Sequence, residues 1–387
     1  MDKWAFVEKE FARRKAADQV RTLTPVAPKG AAEVLVNGRP MLNFCSNDYL
    51  GLSKHPAIIE ASVRCAQDFG AGSTASRLVC GDFTVFGELE REMAAFKGTE
   101  DALVLTSGFQ ANASLLPALA DRGALILSDQ LNHNSLIQGA RLCRCDVKVF
   151  RHNDLDHLRE LLISARKVSY SRILITTESV FSMDGDRADI EALAALSEEF
   201  AAILFVDEAH ATGVFGRRGA GMCHGKNVDV VMGTFGKALG CFGAYVACSS
   251  RLKSYLINCC AGLIYTTALP PAVIGSIRAA LPIAAAMDEE RRAMLLRADR
   301  VRAAVHDLGW ETGASDTHIV PVLVGPESET LALSAYLKER GILATAIRPP
   351  TVEPGRSRIR LAVCAQHTND HIERLVSAFA GFKEQAA

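Results

Sequence analysis

Between residues 102 and 248, short apolar runs alternate with helical stretches, and this alternation limits what the chain can become. Ala102-Leu-Val-Leu-Thr106, Ala124-Leu-Ile-Leu-Ser128, Asp146-Val-Lys-Val-Phe150, Arg172-Ile-Leu-Ile-Thr176, Ile203-Leu-Phe-Val206, Val228-Asp-Val-Val-Met232 and Gly243-Ala-Tyr-Val-Ala-Cys248 read as strands. Helical patterns fill residues 154–166 and 189–199 and open after Ser107 and His133, with another over 84–97. A sheet with helices between its strands is the architecture such a pattern serves.

Polar residues collect where these apolar runs end. Directly after Val228–Met232 comes Gly233-Thr-Phe-Gly-Lys-Ala-Leu-Gly240, which sets Lys237 in a frame of glycines. Glycines let backbone approach a ligand closely, and an amine shielded from water at a strand end becomes nucleophilic, as a Schiff base requires. A glycine-rich turn that merely carries a lysine is the plainer reading. A phosphate loop is excluded, because the spacing and the Ser/Thr after Lys that would hold Mg²⁺ are missing. The strand Ile203–Val206 runs into Asp207-Glu-Ala-His210. A carboxylate there could pair with a protonated pyridine nitrogen, the arrangement that lets pyridoxal phosphate (PLP) act as an electron sink. Asp-Glu-Ala-His is also a helicase signature, but no phosphate loop precedes it.

The remaining chain is taken in order. Trp4, Val7 and Phe11 recur at helical spacing, giving an amphipathic helix from 2 to about 20. Arg21 at its end suits the helix dipole. Glu33–Val36 and Arg39–Phe44 form a hairpin through Asn37-Gly38. Gly70–Gly81, small and hydroxyl-rich, makes a better binding loop than core. Ser107 and Gly108 open a helix whose free N–H groups suit a phosphate, or Ser107 simply caps it. His133 begins the next helix, as a cap or as a ring able to stack on a flat cofactor. A helical region runs from 272 to 308, followed by strand 318–324, helix 328–340, strands 342–347 and 357–363, and helix 369–382, a small α+β pattern.

A chain of 387 residues carrying net charge −1, with 49% hydrophobic residues, has no basic excess for nucleic acid or an anionic membrane. No apolar run approaches a membrane span, and the charged N-terminus shows no signal-peptide core. Eleven cysteines without a Cys-x-x-Cys pair read as reduced, buried thiols, which points to the cytoplasm. No metal is expected.

With these residues placed, the chain resembles the α-oxoamine synthases from about residue 10 to 380. The resemblance rests on Ser46-Asn-Asp-Tyr-Leu-Gly-Leu52, Thr106-Ser-Gly-Phe109, Ser179-Val-Phe-Ser-Met-Asp-Gly-Asp186, Val206-Asp-Glu-Ala-His-Ala-Thr-Gly213 and Gly233–Gly240. It implies an α/β, type I aminotransferase-like PLP fold with a large, mostly parallel sheet domain and a small C-terminal α+β domain. The implied boundaries are an N-terminal helix and hairpin segment over 1–45, a PLP-binding domain over 46–280 and the small domain over 281–387. It further implies a homodimer.

By the same resemblance Lys237 anchors PLP and carries the α-proton. Asp207 keeps the pyridine nitrogen protonated, His133 stacks on the ring and borders the substrate, and Ser182 and His210 bond the phenolic oxygen. Gly108, Phe109 and Thr234 surround the phosphate. Arg21, Asn47, Thr351 and Arg360 contact substrate, Arg360 as a carboxylate partner. The loop Thr345-Ala-Ile-Arg-Pro-Pro-Thr-Val-Glu-Pro-Gly355 is similar to that of the member joining L-alanine to a pimeloyl thioester, on coenzyme A or acyl carrier protein. A glycine-using acetyltransferase is the alternative, and a non-catalytic subunit of a heteromer the alternative of another class.

Overall fold

The computed structural model describes residues 2–386, which form two compact units. One comprises residues 48–182 and 187–291; the other comprises 1–47, 183–186 and 292–387. The N-terminal segment and a four-residue turn thus belong with the C-terminal part of the chain.

The first unit is built on a seven-stranded sheet. Its strands lie in the order Asp101–Leu105, Ala244–Cys248, Val230–Thr234, Ile203–Asp207, Ile173–Glu178, Leu125–Asp129, Asp146–Phe150. The last five pair in parallel, whereas Ala244–Cys248 runs antiparallel to both neighbours. All seven expected runs are strands. Leu125–Asp129 and Ala244–Cys248 are buried along their whole length, because helices cover both faces of this mostly parallel sheet. Only the edge strand Asp146–Phe150 is mostly exposed. Ala111, Leu115, Leu116 and Leu119 of helix Gly108–Leu119 pack on Leu136 and Ala140 of helix Asn134–Leu142 and on sheet residues Leu103, Phe205, Met232 and Val246. Glu178, Asp207 and Thr234 therefore emerge side by side, at the C-terminal ends of adjacent strands where ligands bind in such sheets.

The second unit holds two small sheets, one of strands Val26–Pro28, Glu33–Val36, Arg39–Asn43 and Ile342–Leu343, the other of Ile319–Gly325, Ser357–Ala362 and Ala346–Ile347. The hairpin turns through Asn37 and Gly38, both at positive φ, as expected. Three elements differ from expectation. The first helix covers only Ala5–Ala16 and buries no residue. The region 272–308 is two helices, Pro271–Ala285 and Asp288–Asp307. The strand expected over 342–347 is two short strands that pair with different sheets, Ile342 with Leu42 and Ala346 with Ile359. Asp184 lies in the turn over 183–186 and pairs with Arg358 at 2.6 Å.

His367 and His371 stand at the His-x-x-x-His spacing of many metal sites, with ring centroids 6.1 Å apart. His367 Nδ1 accepts the Cys364 N–H, and no cluster among the described residues could hold a metal. No single helix among them is long and apolar enough to cross a membrane.

Candidate active site

Seven of the residues singled out in the sequence line one cavity of about 210 Å³ in the seven-stranded unit: Gly108, Phe109, His133, Asp207, His210, Thr234 and Lys237. Ser135, Glu178, Ala209 and Met232 complete the lining.

Asp207 ends its strand almost fully buried. Its Oδ2 accepts from Asn112 Nδ2 at 2.8 Å, and its Oδ1 accepts from the Ala209 N–H at 2.8 Å. Two neutral donors hold the carboxylate in place while leaving lone pairs for a cationic partner. The Asn112 amide also donates to Ser135 Oγ at 2.9 Å, and that hydroxyl lies 2.7 Å from His133 Nδ1. His133 Nδ1 accepts the Ser135 backbone N–H at 3.2 Å, so this nitrogen is unprotonated and the ring is fixed at the start of helix Asn134–Leu142. The His133 backbone N–H donates to Glu178 Oε1 at 2.6 Å. Burial, with Asp207 nearby, pushes the Glu178 carboxyl well above its ordinary range.

Lys237 sits on the loop linking Val230–Thr234 to Ala244–Cys248, its Nζ 2.8 Å from His210 Nε2. Thr234 Oγ1 donates to Gly243 O at 2.8 Å, Phe235 N donates to the same oxygen at 3.0 Å, and Cys241 N donates to Phe235 O at 2.9 Å. Two glycines are required here. Gly240 has φ +64°, and a Cβ on it would lie 2.3 Å from Ser53 N; a Cβ on Gly233 would lie 2.2 Å from Tyr245 Oη.

Ser107 caps helix Gly108–Leu119 by accepting the Gln110 N–H at 3.3 Å. The capping reading of Ser107 therefore holds, and the first N–H groups of the helix still lack intrahelical acceptors. Gly108 and Phe109 bring that helix end to the cavity, with Phe109 52% exposed.

The other sequence candidates fall elsewhere. Ser182 is nearly buried on the segment after strand Ile173–Glu178 and does not line the cavity. The remaining four belong to the second unit and form two pairs. Arg21 donates to Thr351 Oγ1 at 3.3 Å, and Arg360 donates to Asn47 Oδ1 at 3.3 Å. Asn112, Ser135, Glu178 and Tyr49 were not singled out as site residues; Tyr49 lay within a quoted motif and places its hydroxyl 2.6 Å from His210 Nδ1.

Residues 39–379 match the model of the family described as aminotransferase class I and II. A Desulfosudis oleivorans protein provisionally named 8-amino-7-oxononanoate synthase is 55% identical over 383 residues, 99% of this chain and 100% of that protein. The structure of a serine palmitoyltransferase variant from S. paucimobilis with bound PLP–myriocin superposes with a TM-score of 0.93 at 26% identity, over 100% of this chain and 99% of that one. The crystal structure of 8-amino-7-oxononanoate synthase from Francisella tularensis gives 0.77 at 25% identity, over 89% and 98%. The expected type I aminotransferase-like fold is borne out, and the chain belongs to the aminotransferase class I and II family.

Proposed function

We propose that this chain is a PLP-dependent acyltransferase that condenses L-alanine with a pimeloyl thioester, carried on coenzyme A or acyl carrier protein. The products are 8-amino-7-oxononanoate, CO₂ and free thiol, a step of biotin biosynthesis, and the enzyme works in the cytoplasm as a homodimer. The observation carrying the reading is that one cavity is lined by a buried carboxylate, an amine and the N-terminus of a helix, Asp207, Lys237 and Gly108. A family relative with the provisional synthase name matches essentially end to end.

These residues fit PLP chemically. Asp207 keeps lone pairs for a pyridinium N–H, Lys237 offers the amine for its aldehyde, and the helix end at Gly108 and Phe109, with Thr234 beside it, suits a phosphate. When bound, the cofactor supplies an electron sink for the pair left on the amino acid's α-carbon. Asp207 holds a proton on the pyridine nitrogen and so keeps that sink cationic. Lys237 Nζ anchors the cofactor and then takes the α-proton. His133, held by Ser135, covers one ring face and borders the substrate. His210 would donate to the phenolic oxygen from the cavity wall, and Ser182, which lies outside that lining, is given the same role by the family resemblance alone. Arg360 pairs with a substrate carboxylate, with Asn47 beside it, while Arg21 and Thr351 hold the acyl portion. The condensation product is a β-keto acid, which loses CO₂ readily.

The test is product formation from both pimeloyl thioesters with alanine, glycine and serine, alongside acetyl-CoA with glycine. The expected result is 8-amino-7-oxononanoate from alanine, with glycine slower by roughly 10–200-fold, the limit for one methyl group. Faster turnover of acetyl-CoA with glycine would replace this reading by the acetyltransferase. Borohydride reduction followed by peptide mapping should place the pyridoxyl group on Lys237, and a label on another lysine would overturn the site.

A further inference from the structure

Three separate turns converge behind Lys237. The lysine loop carries Gly240 against Ser53, the turn over 48–53 carries Tyr49, and the turn after strand Ile203–Asp207 carries His210. Each is clamped on its own. Asp48 Oδ1 and Oδ2 accept the N–H groups of Leu52 and Ser53 at 2.9 and 3.1 Å, and Glu208 O accepts those of Ala211 and Thr212 at 3.0 and 2.9 Å. Between them runs a line of polar atoms. Tyr49 Oη lies 2.6 Å from His210 Nδ1, and His210 Nε2 lies 2.8 Å from Lys237 Nζ. Tyr49 has no exposed surface and His210 only 5%, so this geometry is set by packing, not by solvent.

We infer that Tyr49 is a positioning residue for Lys237, acting through the tautomer of His210. A tyrosine hydroxyl keeps its proton at neutral pH and can donate it, and a ring nitrogen that accepts a hydrogen bond carries none. Tyr49 donates to Nδ1, so the hydrogen of the neutral imidazole resides on Nε2 and points at Lys237 Nζ. An ammonium has no lone pair to accept that hydrogen, whereas a free amine has one. The tautomer chosen by Tyr49 therefore favours the nucleophilic form of the lysine. It works against the Asp207 carboxylate, which faces the same cavity as His133 and favours the ammonium. The consequence for catalysis rests on the function proposed above; the tautomer itself does not.

The test reads the ring nitrogens directly. Full-length protein free of cofactor is labelled with [¹⁵N]histidine, and the His210 signals are identified by their loss in His210→Gln. In the unmodified protein, Nε2 is expected in the range of a protonated ring nitrogen and Nδ1 in that of an unprotonated one. In Tyr49→Phe the Nδ1 signal is expected to shift toward the protonated range, as Lys237 becomes the donor to Nε2. A proton found on Nδ1 in the unmodified protein overturns the proposal, and so does an unchanged His210 pattern in a folded Tyr49→Phe protein. Should that variant fail to fold, the unmodified spectrum alone decides, whatever the enzyme's substrates prove to be.

Discussion

Asn112 and Asp207 are 95 residues apart in sequence, and the side-chain amide of the one donates to the carboxylate of the other at 2.8 Å. The same amide reaches Ser135, and through it the ring of His133. One helix residue thus fixes both the carboxylate and the imidazole proposed to hold the cofactor. Asn112→Leu should therefore weaken PLP binding by roughly 10–100-fold, as expected when a buried charged group loses a donor. An absorbance titration of the cofactor into the variant measures this, and unaltered affinity would show that the Ala209 N–H suffices.

Asp207→Asn keeps shape and removes charge. Exchange of the α-proton of L-alanine for deuterium, followed by NMR, should slow on the order of 10²–10⁴-fold, the range of a lost proton-transfer contribution. The variant should still bind cofactor, which separates electronic control from occupancy. Near-normal exchange would assign that control to another group.

Lys97 and Glu208 form an ion pair with almost no exposed surface, Glu208 Oε1 also accepting the Cys223 N–H at 2.8 Å. Breaking such a pair leaves an uncompensated buried charge, so Lys97→Met should lower unfolding free energy by about 3–5 kcal/mol. Adding Glu208→Gln to that variant should recover part of the loss. Urea unfolding followed by circular dichroism of the three proteins tests both statements.

His367 stacks on Phe44, with ring centroids 4.1 Å apart and an interplanar angle of 6°. Burial, with His371 adding, holds its imidazole down at about 3. The folded state keeps the ring neutral while the unfolded chain protonates it at about 6.5. Its contribution is therefore fully present above that pH and is lost as pH falls toward 3. Stability of the second unit should decline between pH 6.5 and 4, by at most roughly 1.4 kcal/mol per pH unit from this group. Both tryptophans, Trp4 and Trp310, lie in that unit, so tryptophan fluorescence in urea reports it. His367→Asn should flatten the slope, and an equal slope in the two proteins would remove His367 as its source.

The sheet was legible because each of its strands is a short apolar run ending in polar or small residues. Asp207 and Lys237 were legible for the same reason, since a charge placed where an apolar run stops draws notice. Asn112 gave no such signal: a single amide within a helix is unremarkable until its distant partner is known. Glu178 lies two residues beyond the apolar run Arg172–Thr176, although it ends the buried strand Ile173–Glu178. The division of 342–347 was hidden because both halves are extended and nothing local marks the change of sheet at Thr345. The two-unit arrangement was only partly visible, as nothing in the sequence of 183–186 announces that Thr317 donates to Gly185 O at 2.7 Å.

The loop bearing Lys237 leaves one strand and returns into that strand's own neighbour, with Gly243 O tied to both Thr234 and Phe235. Such a closed circuit has no slack at either end. A residue inserted between 235 and 243 would have to be absorbed where the amine sits, and misplacement of a reacting group by about 1 Å can cost roughly 100-fold in rate. Side-chain changes at Ala238 or Leu239 alter the packing beneath the loop but leave its span intact. In this part of the molecule a single-residue insertion should be more harmful than most replacements, which makes the count of residues between the two strands an inherited dimension of the enzyme.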